Sequence, residues 1–105
     1  MDRKRILVVD DNELFRDSIV ETLRRQGHLI GAASNGLEAI EIFSASPFDL
    51  VISDMKMPGM SGIDLLERIK KIDAEIPFLI ITAYGAIETA VDAMKKGAYD
   101  FIQKS

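Results

Sequence analysis

Asp10, Asp11, Asp54, Thr82 and Lys104 have the types and the places that phosphorus chemistry needs. Asp10 and Asp11 stand together directly after the apolar run 6–9. Asp54 follows the apolar run 50–52, Thr82 closes "IPFLIIT", and Lys104 comes just after "AYDFI". One acid before a helix is an ordinary N-cap. A doubled acid at the end of an apolar run, echoed by a third acid at the end of another, needs a different reason. Carboxylates brought together repel unless one is protonated or a cation sits among them. Ligands that are all oxygen, without His or Cys, select a hard ion, and Mg2+ typically takes one or two carboxylates, several waters and a phosphate oxygen. A carboxylate not needed to hold the metal can attack phosphorus and become an aspartyl-phosphate. Asp54 suits that role as the lone acid closing an apolar run, with the loop "MPG" after it leaving room for a donor. Thr82 would offer a hydroxyl and Lys104 an ammonium to the phosphoryl oxygens, whose charge needs balancing in transition state and product alike.

These residues work together only if the fold collects them. Residues 6–9 read as a short strand covered on both faces, an uninterrupted aliphatic run. Leu14, Phe15, Ile19, Val20 and Leu23 then recur at helical spacing up to Gly27, a C-cap glycine. "HLIGAAS" is a second strand. "SNG" caps a helix marked by Leu37, Ile40 and Phe43 and ended by Pro47. "FDLVIS" is a third strand, and Ser61 with Asp64 resembles a capping box opening a helix on Ile63, Leu66 and Ile69. "IPFLIIT" is a fourth strand, Ile87, Ala90, Val91 and Met94 mark a fourth helix stopped by Gly97, and "AYDFI" is a fifth strand. Strand and helix alternate with connections that require crossovers, which predicts a parallel α/β sheet with right-handed crossovers. In such sheets the working site lies beyond the carboxyl ends of the strands, beside the switch in strand order. In the flavodoxin-like order 2-1-3-4-5, strands one and three are neighbours, and the acids converge.

Composition narrows the function classes. With 13 basic and 17 acidic residues the formal net charge is −4, and the basic residues form no stripe, so direct nucleic-acid binding is not expected. Cysteine is absent, which excludes disulfides and thiolate metal sites and suits the cytoplasm. The apolar runs are far shorter than the roughly 20 residues of a membrane span. His28, the single histidine, lies away from these motifs and reads as a surface residue.

The motifs "LVVDDN", "DLVISDMKMPGMSG", "IITAYG" and "GAYDFIQK", in this order and at these spacings, resemble the receiver domains of two-component response regulators over the whole length. The resemblance implies a CheY-like doubly wound sheet in one receiver domain, residues 1–105. It implies that Asp54 accepts a phosphoryl group from a histidine kinase. It further implies that Asp10, Asp11, Asp54 and the backbone carbonyl of Lys56 hold Mg2+, and that the domain catalyses its own phosphorylation and dephosphorylation without being an enzyme in the usual sense. The hydroxyl of Thr82 would be drawn toward the phosphoryl group and Phe101 would turn inward as a switch, although Phe101 also reads as simple core. Small Ala83 would keep the site accessible, and Lys56 and Tyr84 would tune the lifetime of the phosphate. "TAYGAIETAVDAMKKGAYDFI" looks like the NtrC-like type, which precedes a sigma-54-activating ATPase and a DNA-binding domain.

The resemblance departs at the C-terminal end. Receivers usually read Lys-Pro there and continue through a fifth helix, whereas this sequence reads "QKS". Apolar residues of strands three to five should then face water, unless a homodimer partner or another chain covers them or the polypeptide continues past Ser105. Two rival functions fit less well. An aspartate-nucleophile phosphatase places Asp-x-Asp after the first strand, where this sequence has Asp-Asp-Asn. A structural module that keeps the acids without phosphorylation has only the altered ending in its favour. A flavin site is weaker still, because an acidic first loop repels phosphate.

Overall fold

The computed structural model describes residues 3–83 and 87–104. Within them the chain alternates β1 (Arg5–Val9), α1 (Glu13–Arg25), β2 (Leu29–Ala33), α2 (Gly36–Ala45), β3 (Leu50–Asp54), α3 (Gly62–Ile72), β4 (Phe78–Thr82), α4 (Ile87–Lys95) and β5 (Asp100–Gln103). The strands form one parallel sheet in the order β2-β1-β3-β4-β5, the predicted doubly wound arrangement. Leu7, Val8 and Val51 are fully buried, as the uninterrupted aliphatic runs require of central strands covered on both faces.

Side-chain caps start the helices where the sequence places them. Asn12 Oδ1 accepts the N–H of Phe15, Asn35 Oδ1 that of Glu38, and Ser61 Oγ that of Asp64, each satisfying a backbone donor that has no partner inside its helix. Gly27 and Gly97 take positive φ just beyond α1 and α4, where other residues would be strained.

Two apolar layers flank the sheet. Val20 of α1 packs with Ile6, Val8, Ile52 and Ile81 on one face. On the other, Phe43, Leu65, Leu66, Ile69, Ala90 and Ala93 of α2, α3 and α4 pack over Leu7, Val51, Phe78 and Ile80. Right-handed crossovers in this strand order put α1 on one face and α2, α3 and α4 on the other. The face beside α1 is open only in part: Ile52 and Ile81 are buried, while Ile102 is 52% exposed. A cavity of about 480 Å3 lined by Lys4, Asp49, Leu50, Pro77, Leu79 and Tyr99 marks its lower edge.

Some apolar positions depart from the helical reading. Leu14 and Leu37, at the first turns of their helices, point to solvent, as do Val91 and Met94 of α4. Ala90 and Ala93 are fully buried instead, so α4 rests on the sheet through methyl groups, and the larger side chains beside them are left outside. Ala93 is therefore core; Ile87's side chain lies outside what is described. β5 begins at Asp100, later than "AYDFI" suggested, because buried Ala98 and the Tyr99 N–H to Phe78 O bond belong to the turn that enters the strand. His28 is half-buried, and its Nδ1 accepts the N–H of Lys4 at 3.1 Å, tying the start of β1 to the turn before β2.

Candidate functional site

Strand register assembles the site. Val9 pairs with Ser53, and Asp54 pairs with Ile81. The residues following β1 and ending β3 therefore emerge side by side at the carboxyl edge. One carboxylate oxygen from each of Asp10, Asp11 and Asp54 lies within 4.8 Å of the others, with Asp11 exposed and the other two buried.

Asp10 is held at each of its polar groups but one. Its N–H donates to Ala33 O at 3.1 Å, its carbonyl accepts Arg16 Nη1 at 3.0 Å, and its Oδ1 accepts the Asn12 N–H at 2.9 Å. Oδ2 is buried without a hydrogen-bond donor. Its counter-charge is Lys104, whose Nζ lies 3.5 Å from it and 3.4 Å from Asp54 Oδ2. A buried carboxylate oxygen lacking a donor is costly, and an all-oxygen trio beside it is what a hard divalent cation accepts. The residues present thus fit an Mg2+ site.

Burial pushes the Asp54 carboxyl above its ordinary value, and the neighbouring Asp10 charge pushes it further. Lys104, by charge and hydrogen bonding, and the Met55 backbone N–H pull it back. The balance is a carboxylate poised in a crowded anionic pocket, a charge state that a cation would relieve. Below it the backbone is tightly packed: Ser53 Oγ donates to Asp54 O at 2.9 Å, and a Cβ on Gly62 would lie 2.2 Å from that carbonyl oxygen. The glycine lets α3 start against the end of β3.

The other expected residues fall around this centre. Lys104 reaches the acids from beyond β5, its backbone N–H bound to Thr82 O at 2.8 Å. Thr82 is fully buried at the end of β4, its Oγ1 donating to Ala83 O at 3.1 Å, and Ala83 is exposed. Lys56 lies exposed in the loop after Met55. Phe101 is half-buried against the layer of α2 to α4. Tyr84 lies outside the described residues. The structure thus brings Asp10, Asp11, Asp54 and Lys104 together, with Thr82 alongside through the Lys104 backbone, while Phe101, paired with Ile80, lies in the layer of α2 to α4. The sequence reading missed Phe15, Arg16 and Gly62. Only Gly62, following the cap residue Ser61, carried a local signal.

Comparison with known proteins supplies the wider setting. A family model described as the response regulator receiver domain matches residues 6–105. The response regulator protein PilR of Pseudomonas aeruginosa is 40% identical over 104 residues, covering 99% of this chain and 23% of that protein. The transcriptional regulatory protein ZraR of Klebsiella oxytoca is 43% identical over 99 residues, covering 94% of this chain and 22% of that one. Among solved structures, a response regulator receiver domain protein from Clostridium thermocellum superposes with a TM-score of 0.91 at 38% identity, covering 96% of this chain and 82% of that one. NtrX from Brucella abortus in complex with ADP gives 0.95 at 38% identity, covering 98% of this chain and 24% of that one. The chain spans less than a quarter of the length of the curated relatives it matches.

Proposed function

This chain belongs to the receiver domains of two-component response regulators, and on that premise we propose that Asp54 is its phosphorylation site and that the modification switches a transcriptional output. The observation that carries the reading is the convergence of Asp10, Asp11 and Asp54 within 4.8 Å, with the Lys104 ammonium 3.4 Å from Asp54. A carboxylate oxygen of Asp54 attacks phosphorus, the bond from phosphorus to the kinase's histidine nitrogen breaks, and the imidazole leaves with the bonding electrons. Asp10 and Asp11, with Asp54 and the Lys56 carbonyl, would hold Mg2+. When bound, that ion neutralises charge on the carboxylates and on the transferring phosphoryl oxygens.

Lys104 supplies a second positive charge to the same oxygens, and the Thr82 hydroxyl a donor once it releases Ala83 O. Phe101 then takes up space vacated by Thr82 and transmits the change toward α4. Ala83 leaves the approach open, and the side chains at Lys56 and Tyr84 set how readily water reaches the phosphoryl group and hydrolyses it. The domain thereby catalyses its own modification and removal of the phosphate.

The partners follow from the same reading: a sensor histidine kinase, and ATPase and DNA-binding domains of an NtrC-like, sigma-54-dependent regulator in the cytoplasm. Among the described residues no helix is long and apolar enough to cross a membrane. Ile102 and the cavity beside Leu79 mark the surface that a second copy or another segment would cover.

Intact mass after incubation with Mg2+ and acetyl phosphate tests the assignment. One added phosphoryl group is expected, absent in Asp54→Ala and absent without Mg2+. A folded wild-type chain that gains no mass would overturn it.

A further inference from the structure

Phe15 bears no reactive group, yet its ring is the surface on which the site's lysine rests. Lys104 Nζ lies 4.4 Å from the centroid of the Phe15 ring, well within the reach of a cation–π contact. The same ammonium is 3.4 Å from Asp54 Oδ2 and 3.5 Å from Asp10 Oδ2. It is therefore bracketed by two acids and one aromatic face, and its side chain is only 26% exposed.

The ring is itself fixed. Phe15 donates its backbone N–H to the cap residue Asn12 at 3.0 Å, and its side chain packs against the layer containing Ile6, Val8, Val20, Ile52 and Ile81. The neighbouring Leu14 is 84% exposed, so within the first turn of α1 it is the aromatic residue that turns inward. Lys104 has no comparable constraint of its own. Its backbone is tied to Thr82, but a lysine side chain keeps most of its rotamer freedom unless something holds it.

The two kinds of hold on Lys104 respond differently to a bound cation. The carboxylates attract the ammonium through their negative charge, and that attraction weakens once a divalent ion neutralises them. The attraction of the ring's negative face does not depend on the carboxylates' charge. We propose that Phe15 is a positioning residue for Lys104, holding the ammonium beside Asp54 when the acids are neutralised and a phosphoryl group is arriving. This rests on the receiver reading and assigns a role to an aromatic residue that bears no reactive group.

The direct test is spectroscopic and independent of turnover. In a 1H–13C correlation spectrum of the full chain, assigned with Lys104→Met, the ε-methylene protons of Lys104 should be displaced upfield of the other lysines by the ring current, with and without Mg2+. The displacement should vanish in Phe15→Leu. Phosphorylation of Phe15→Leu by acetyl phosphate at saturating Mg2+ should be slower by roughly three- to tenfold, the factor a contact of this kind commands. Phe15→Tyr, which keeps the ring face, should stay within about twofold of wild type. Undisplaced Lys104 protons in the folded wild-type chain would overturn the proposal. So would a Phe15→Leu variant as fast as wild type, or a folded Phe15→Tyr variant as slow as Phe15→Leu. If the wild-type chain accepts no phosphoryl group, it is the receiver reading that fails, and the ring-current displacement alone decides the contact.

Discussion

Asp10 and Asp54, at the ends of neighbouring strands, share a single ammonium: Lys104 Nζ stands 3.5 Å from Oδ2 of the first and 3.4 Å from Oδ2 of the second. Removing that charge leaves two buried acids facing each other. In Lys104→Met, Mg2+ should bind more tightly, by several-fold, because the cation no longer competes with an ammonium. Phosphorylation from acetyl phosphate should nevertheless fall by about tenfold or more, the usual effect of losing a charge aimed at a transition state. Calorimetric titration and intact-mass kinetics on one sample separate the two effects.

The raised Asp54 carboxyl sets the sign of a pH effect. The folded chain holds this proton more tightly than the unfolded chain does. The stability so gained is present below the ordinary carboxylate value and is lost as pH rises through the folded one. At neutral pH without Mg2+, Asp54→Asn should therefore melt higher than wild type, by about 4–8 °C for each kcal/mol recovered in a domain of this size. The advantage should shrink as pH falls below the ordinary carboxylate range. Added Mg2+ should raise the wild-type midpoint more than that of Asp54→Asn, which keeps Asp10 and Asp11 but lacks one carboxylate of the site. Melting curves at several pH values check all three.

Gly62→Ala would put a methyl group 2.2 Å from the Asp54 carbonyl oxygen. That neighbour is backbone, so α3 or the end of β3 has to move, and overpacking of this kind costs about 1–3 kcal/mol. Urea unfolding should show the loss, and Mg2+ affinity should fall as well, because the displaced backbone carries Asp54.

Ala93→Leu and Met94→Ser distinguish the two sides of α4. Ala93 is fully buried and Met94 is 38% exposed. Enlarging the first should cost about 1–3 kcal/mol, whereas trimming the second should change stability by no more than about 0.5 kcal/mol. Denaturant midpoints compared at equal m-values check the pair.

The strands and the acids were legible for a common reason. A parallel strand buried on both faces has to be a continuous apolar run, so the acids that end Ile6–Val9 and Leu50–Ile52 stand out against it. The rule that sites lie at strand ends then brings Asp10, Asp11 and Asp54 together once β1 and β3 are neighbours. The supports of the site were not legible. Phe15 meets Lys104 across almost the entire chain, and nothing at helical spacing distinguishes an aromatic that covers a lysine from one that fills a core. Arg16 acts on a backbone carbonyl, and whether a basic residue in a first turn does so depends on its rotamer, which sequence does not fix. The α4 face was misread because hydrophobic spacing weights large side chains, while a helix lying close to a sheet buries small ones. Leu14 and Leu37 were misread at helix starts, where the first turn extends past the edge of the layer it packs on.

The seating of α4 has a mechanical meaning. α3 is keyed into the core by Leu65, Leu66 and Ile69, and interlocked side chains resist sliding. Among the described side chains of α4, only the methyl groups of Ala90 and Ala93 are buried. Its far end is fastened: Lys96 Nζ reaches Glu67 Oε1 at 2.9 Å, and the Lys70 stem lies against Gly97. α4 is thus tethered at its C-terminal end and seated along its length on two small methyl groups. A displacement at the strand ends would therefore meet little interlocking resistance from α4.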